Sequence, residues 1–337
     1  MIPATNLDTQ PGRPLPDWRQ SLREAVTDAR ELLRLLDLET LTDRLPTGDA
    51  GFALRVPRGF VARMRRGDPH DPLLLQVLPQ SAELDKPPGF TTDAVGDLAA
   101  RAARGVLHKY EGRALLIAAG SCAINCRYCF RRHFPYGEEI AAANGWRDAL
   151  SYLRDDPSVR ELILSGGDPL VLATHKLAEL TDSLCAIPHV TRLRVHTRLP
   201  VVLPERIDGE FCRWLSKLPL QCVIVMHANH PNELDDSVRD TCARLRDAGA
   251  TLLNQSVLLR GINDDTEVLA TLSERLFEIG VLPYYLHQMD RVQGTAHFGV
   301  DDHRSRALLD QLLARLPGYL VPRLVREITG VTSKTLL

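Results

Sequence analysis

Between residues 114 and 288 the chain repeats one unit six times: an apolar run of five to eight residues, a polar turn, then an amphipathic stretch. The strand candidates are 114–119, 161–165, 192–197, 222–228, 251–258 and 283–288. Helical spacing of apolar residues fills 138–154, 174–186, 205–217, 233–248 and 266–279, with a last stretch at 302–315. Strands joined by helix-length crossovers run parallel rather than as hairpins. The even spacing favours an α/β fold built as a partial TIM-type (β/α)6 barrel. An open doubly wound sheet would be favoured by G-x-G-x-x-G after the first strand, and that motif is missing. We expect an N-terminal helical extension over 1–95, the barrel over 96–316 and a short C-terminal segment over 317–337. Within the first of these, 18–41 reads as amphipathic helix and the Pro-containing first sixteen residues as mobile. A further helix is expected within 89–107, leading into the barrel.

In a parallel barrel the C-terminal ends of the strands share one mouth, where active sites sit. Every strand candidate ends in polar, ligand-capable residues here. The first runs into a three-cysteine loop, the second into Ser165-Gly166-Gly167-Asp168 and the third into His196-Thr197-Arg198. The fourth ends at His227-Ala228-Asn229-His230, the fifth carries Asn254 and Gln255 and runs into Arg260-Gly261-Ile262-Asn263-Asp264, and the sixth ends at His287-Gln288-Met289-Asp290. A single Asn or Asp at such a place is often only a cap or turn former. Six in register point to one active site.

The cysteines sharpen this. The chain has seven, and nothing predicts disulfides. No uncharged apolar stretch approaches the roughly 18 residues of a membrane helix. The N-terminus lacks the basic-then-apolar order of a signal peptide. A cytoplasmic chain with reduced thiols is therefore expected. The 41 basic and 43 acidic residues give no reason to expect direct nucleic-acid binding. Cys185, Cys212, Cys222 and Cys242 are scattered singly and are expected to pack as small buried hydrophobes. Cys122, Cys126 and Cys129 instead form C-x3-C-x2-C within eight residues. A structural zinc site would want a fourth ligand, and no neighbouring Cys or well-placed His supplies it. A 4Fe-4S cluster is normally held by four cysteines. Three would leave one iron open for a substrate or cofactor.

The three-cysteine loop after the first strand, with G-G-D after the second, resembles the radical S-adenosylmethionine superfamily. The runs S-G-G-D-P-L, R-L-P-V-V-L-P-E-R-I, H-A-N-H-P-N-E and N-Q-S-V-L-L-R-G-I-N-D are similar to those of the lysine 2,3-aminomutase family. With the short C-terminus Y-L-V-P-R-L-V-R-E-I-T-G-V-T-S-K-T-L-L, the resemblance is to the elongation factor P (R)-β-lysylation branch of that family. It covers about residue 89 to the end.

The resemblance implies an isomerase that turns (S)-α-lysine into (R)-β-lysine with a 4Fe-4S cluster, S-adenosylmethionine and pyridoxal phosphate. Cys122, Cys126 and Cys129 would hold the cluster. Ser165, Gly166, Gly167, Asp168, His227 and Gln255 match S-adenosylmethionine positions. Lys334 matches the lysine that carries pyridoxal phosphate, although Val331, Thr332 and Ser333 stand where other aminomutases have a glycine-rich run. Lys109, Tyr110 and Arg113 match the phosphate-contact segment, with Lys109 in place of a common arginine. Arg131 matches the arginine that binds the substrate carboxylate, and Arg132 beside it is expected at the surface or on the cluster loop. Asp290 and Glu327 match the two acids that hold the ε-ammonium, Glu327 standing where the aminomutases use Asp. The implied partners are a ligase that transfers β-lysine to elongation factor P and an electron donor such as flavodoxin or ferredoxin. Self-association is left open. Two other classes stay in view: a radical enzyme acting on a peptide or nucleic acid without pyridoxal phosphate, and a structural metal-binding module.

Overall fold

The computed structural model describes residues 17–46 and 51–337. The first sixteen residues, expected to be mobile, lie outside the described residues.

The N-terminal part is a run of short helices: α1 (Trp18–Arg23), α2 (Ala29–Leu35), α3 (Arg58–Val61) and α4 (Pro72–Leu75). Asp17, Asp28 and Asp71 start three of them by accepting backbone N–H groups of the first turn. The expected helix over 18–41 is thus broken into α1, α2 and a 3-10 turn from Glu39. Trp18, Val26, Leu32, Leu33, Phe60 and Leu73 are buried in the core that also holds the strands, so this segment covers the barrel.

The helix expected within 89–107 does not form. This region carries β1 (Arg101–Ala103) and enters β2 (Val106–Tyr110), which pair antiparallel. Gly105 makes the turn between them at φ +72, and a Cβ there would lie 2.7 Å from the Ala141 backbone. That left-handed turn overrides the helical spacing.

The six expected strands all form, as β3 (Arg113–Ala119), β4 (Glu161–Gly166), β5 (Arg192–Thr197), β6 (Gln221–His227), β7 (Thr251–Leu258) and β8 (Leu282–Gln288). Each pairs parallel with the next. Between β3 and β4 the expected single helix is split. Gly145 and Trp146 both take positive φ, so α5 (Tyr136–Glu139) is separated from α6 (Arg147–Asp155). The remaining crossovers carry α7 (Thr174–Cys185), α8 (Leu199–Val202) with α9 (Gly209–Leu215), α10 (Asp236–Asp247) and α11 (Thr266–Glu278). After β8 comes α12 (Asp302–Arg315). Asp235, Asp265 and Asp301 cap α10, α11 and α12.

Two strands beyond these extend the sheet to ten, in chain order. β9 (Arg323–Arg326) runs parallel to β8, and β10 (Thr335–Leu336) returns antiparallel to β9. The result is a partial barrel with a C-terminal hairpin on its last strand. Strand alternation divides its two faces. On β5, Leu193 and Val195 are buried under the helices, while Arg194 and His196 face a cavity inside the barrel. On β7, Gln255 and Val257 face the same cavity. No helix of the described residues is long and apolar enough to cross a membrane.

Candidate active site

The interior cavity has a volume of about 360 Å3. Ten of the residues singled out in the sequence line it: Lys109, Tyr110, Arg113, Arg131, Ser165, His227, Gln255, Asp290, Glu327 and Lys334.

The C-terminal hairpin explains how Glu327 and Lys334 meet. Register pairs Arg326 with Thr335. The next residues out, Glu327 and Lys334, therefore oppose each other, and the Lys334 ammonium donates to Glu327 Oε2. Glu327 Oε1 accepts from Lys109 Nζ at 3.2 Å. Lys109 also donates to Asp97 Oδ1 at 2.7 Å, and Asp97 Oδ2 accepts from Arg131 Nε at 2.6 Å. Arg131 Nη1 donates to Ser165 Oγ at 3.0 Å. One alternating chain of charges thus crosses the cavity: Arg131, Asp97, Lys109, Glu327, Lys334. Burial pushes the Glu327 carboxyl up, but Lys334 and Lys109 more than offset this and hold it at about 2. Asp97 is likewise penalised by burial, yet Arg131 and Lys109 keep it below the usual carboxylate range.

Asp290 contrasts with both. Burial, reinforced by the charge of Glu327, pushes its carboxyl up to about 7, against the pull of Lys334 and Lys109. Three histidines lie deeper. His227 Nε2 is 2.9 Å from Gln255 Nε2, and burial, with Arg198 and Arg131 adding, holds it down at about 3. His196 and His287 are driven well below the ordinary value, chiefly by burial, so all three rings are neutral. Nε2 of His196 and of His287 is buried without a partner among the described residues. Such orphaned polar atoms in a cavity suit a ligand that supplies the missing contacts.

The cysteine loop sits at the mouth. Gly167 packs directly on it: a Cβ there would lie 2.4 Å from Ser121 O, and Gly167 N donates to Ala119 O at 2.7 Å. Gly166 takes φ +108, and its carbonyl accepts from Tyr136 Oη at 2.8 Å. Asp168 turns inward. Its oxygens accept from Thr197 Oγ1 and Arg198 N, each at 2.7 Å, and from Leu170 N at 3.0 Å. Burial still pushes it up to about 6. In these contacts Asp168 fixes the β4 loop to the end of β5.

Cys122, Cys126 and Cys129 lie within electrostatic reach of one another. Among the described residues no three His, Cys, Asp or Glu side chains close on a single-ion site. Arg198 Nη1 donates to Cys126 Sγ at 2.7 Å, and Arg131 and Arg132 act on Cys129. Cationic groups at two of the three thiols, Cys126 and Cys129, fit an anionic cluster. Arg132 is buried, not at the surface: it and Arg127 both bind the Glu83 carboxylate and clamp the loop to the N-terminal segment. Of the four single cysteines, Cys222 and Cys242 are buried as expected. Cys185 is exposed and Cys212 half-buried, because both lie on the outer helices α7 and α9.

A family profile described as "4Fe-4S single cluster domain" matches residues 110–187, the stretch that holds all three loop cysteines. The chain is 50% identical over 322 residues to the L-lysine 2,3-aminomutase of Escherichia coli, covering 95% of this chain and 94% of that protein. The Haemophilus influenzae protein of the same name is 46% identical, with 95% of each chain covered. The chain belongs to the lysine 2,3-aminomutase family. The Clostridium subterminale aminomutase is 33% identical over 95% of this chain and 77% of its own length. Aminomutases are isomerases, and this chain is an enzyme of that class. Lysine 2,3-aminomutases work with a 4Fe-4S cluster, S-adenosylmethionine and pyridoxal phosphate, and the donors described above fit all three: thiols with cations, a glycine loop beside neutral rings, and an amine in a basic cavity.

Several cavity residues carried no assignment from the sequence. Asp97 lies in the stretch read as helix, where nothing marked it. Arg194, His196 and His287 were visible only as polar residues on barrel strands, with alternation as the signal. Arg198, outside the cavity lining, follows a strand end, and nothing in the sequence marks its partner.

Proposed function

We propose that this aminomutase converts (S)-α-lysine to (R)-β-lysine in the barrel cavity. The observation that supports this most is the single charge chain placing Arg131 at one end and Glu327 with Lys334 at the other, with Asp290 beside them. α-Lysine carries a carboxylate and a terminal ammonium, and the cavity offers a guanidinium and two acids for them. Arg131, held on its Nε side by Asp97, takes the carboxylate. Asp290 and Glu327 take the ε-ammonium. Lys334 carries pyridoxal phosphate, whose phosphate is met by Tyr110 and Arg113, with Lys109 bridging to Asp97. Cys122, Cys126 and Cys129 hold the cluster. The loop Ser165, Gly166, Gly167 and Asp168, with His227 and Gln255, flanks S-adenosylmethionine. When bound, the cluster and S-adenosylmethionine supply hydrogen abstraction from an unactivated carbon, and pyridoxal phosphate supplies the route for nitrogen from C2 to C3. The neutral His196, His227 and His287 add no further positive charge to a lumen already lined by Lys109, Arg113, Arg131, Arg194 and Lys334. In this reading 96–316 is the barrel, the described residues of the extension 1–95 are its cover and 317–337 is the segment that supplies Glu327 and Lys334.

The similarity of the C-terminal segment to the elongation factor P branch supports a further step: the β-lysine passes to a ligase that attaches it to elongation factor P. An electron donor such as flavodoxin or ferredoxin reduces the cluster, and the protein acts in the cytoplasm, where thiols stay reduced. An anaerobic assay with reduced cluster, both organic cofactors and (S)-α-lysine tests the activity, the product being resolved by chiral chromatography. (R)-β-lysine is expected. Cleavage of S-adenosylmethionine with lysine recovered unchanged would refute the substrate assignment.

A further inference from the structure

Arg198 ends β5's run into α8 and is 4% exposed. A buried guanidinium normally spends its donors on carboxylates and carbonyls. This one divides them. Nη2 donates to Glu233 Oε2 at 2.9 Å and to Gln76 Oε1 at 2.7 Å. Nη1 points the other way, to Cys126 Sγ at 2.7 Å.

The support behind it is fixed. Glu233 Oε1 accepts from Asn229 N at 2.9 Å, His230 N at 3.1 Å and Gln76 Nε2 at 3.0 Å. The Arg198 backbone N–H is held by Asp168. The rings of Phe60 and Tyr128 lie 5.4 and 5.7 Å from its guanidinium carbon. Tyr128 also hydrogen-bonds Cys126. The guanidinium therefore cannot swing away, and its cationic edge faces the sulfur while the balancing carboxylate lies behind it.

We infer that Arg198 is a positioning residue that sets the reduction potential of the cluster through its hydrogen bond to Cys126. Reduction adds one electron, and part of that charge falls on the ligand sulfurs. A fixed N–H donor with positive charge at one sulfur stabilises the reduced form more than the oxidised form, and so raises the potential. The surroundings are buried, which strengthens the effect. A further consequence follows for the reaction: a donor reduces the cluster more readily, and the cluster is a milder reductant in turn. This inference rests on the reading that the three loop cysteines hold a 4Fe-4S cluster.

The test is a redox titration followed by electron paramagnetic resonance on anaerobically reconstituted full-length protein, comparing wild type, Arg198→Lys and Arg198→Gln. Iron and acid-labile sulfide are measured on each sample. The cluster reading expects both in wild type; their absence would overturn that reading and this inference with it. Given a loaded wild type, Arg198→Gln is expected to shift the reduction equilibrium at least tenfold toward the oxidised form, about 59 mV for one electron. Arg198→Lys, which keeps the charge but cannot serve Glu233 and Cys126 together, is expected to shift in the same direction by less. A loaded Arg198→Gln cluster that titrates at the wild-type midpoint overturns the inference. Failure of both variants to hold a cluster also overturns it, because Arg198 would then be a structural clamp.

Discussion

The ammonium of Lys334 is bound by the carboxylate of Glu327, the residue directly opposite it across the C-terminal hairpin. Glu327 is also one of the two acids read as holding the ammonium of the substrate. The protein's own lysine side chain therefore stands where the ε-ammonium of free lysine would be received. If Lys334 carries pyridoxal phosphate as proposed, its nitrogen would be drawn away from Glu327, which would keep Lys109 as its cation and have one oxygen open to the substrate ammonium.

This competition sets the first prediction. Protein without pyridoxal phosphate is expected to bind lysine weakly, and Lys334→Ala without pyridoxal phosphate at least tenfold more tightly. Isothermal calorimetry measures both. The same variant should lose rearrangement and the long-wavelength absorbance of bound pyridoxal phosphate, with the cluster spectrum unchanged. Equal lysine affinities would show that Lys334 does not compete for Glu327.

The two acids should titrate with opposite sign. Asp290 has a folded value of about 7 against an ordinary 3.8, so the folded protein holds the extra proton between those values. Its contribution to stability falls as pH rises from 3.8 through about 7. Glu327 is held at about 2 against 4.5, so its contribution is present above 4.5 and is lost as pH falls toward 2. Binding an ammonium favours ionised Asp290. The KM for lysine is expected to fall as pH rises through about 7, and Asp290→Asn should flatten that dependence while raising KM. A KM profile in Asp290→Asn that still follows the wild type would assign the titration to another group.

Asp97 is the anion between two cations, Lys109 and Arg131, and is 2% exposed. Asp97→Asn leaves both cations without a shared counter-ion. Removing one partner of a buried pair costs about 3 kcal/mol or more. We expect a lower denaturant midpoint of unfolding and a higher KM for lysine, because Arg131 is no longer held from its Nε side. An unchanged KM in the folded variant would remove Asp97 from the account of carboxylate binding.

Gly167 is the point where the β4 loop rests on the cysteine loop. Gly167→Ala puts a methyl 2.4 Å from the Ser121 carbonyl oxygen, and backbone on both sides must move. Iron and sulfide content after reconstitution should fall sharply, with little change in the circular dichroism of the barrel. Full cluster loading would show that the contact does not position the thiols.

The parallel strands were legible because each is a compact apolar run, and every one from β3 to β8 lies within a residue or two of its expected place. The strand ends were legible for the same reason: once strands are parallel, their C-terminal residues share a mouth. What sequence spacing did not show were the turns. Gly105, Gly145 and Trp146 take positive φ, and each breaks an apolar spacing that otherwise reads as helix. The C-terminal hairpin was also hidden, since β10 is two residues long and its partner is far too short to show alternation. Lys334 and Glu327 were legible only by resemblance, whereas their opposition across the hairpin is a matter of register. Asp97 and the Arg198 to Cys126 contact join segments 34 and 72 residues apart, and no local pattern carries such pairings.

The most direct test of the central claim follows the amino nitrogen itself. Lysine with an isotopically labelled α-amino nitrogen is turned over anaerobically by the reconstituted enzyme, and the product is read by nuclear magnetic resonance. The account expects the labelled nitrogen on C3 of β-lysine, moved within one molecule, and no transfer in Lys334→Ala. Label that stays on C2 while S-adenosylmethionine is consumed would contradict it.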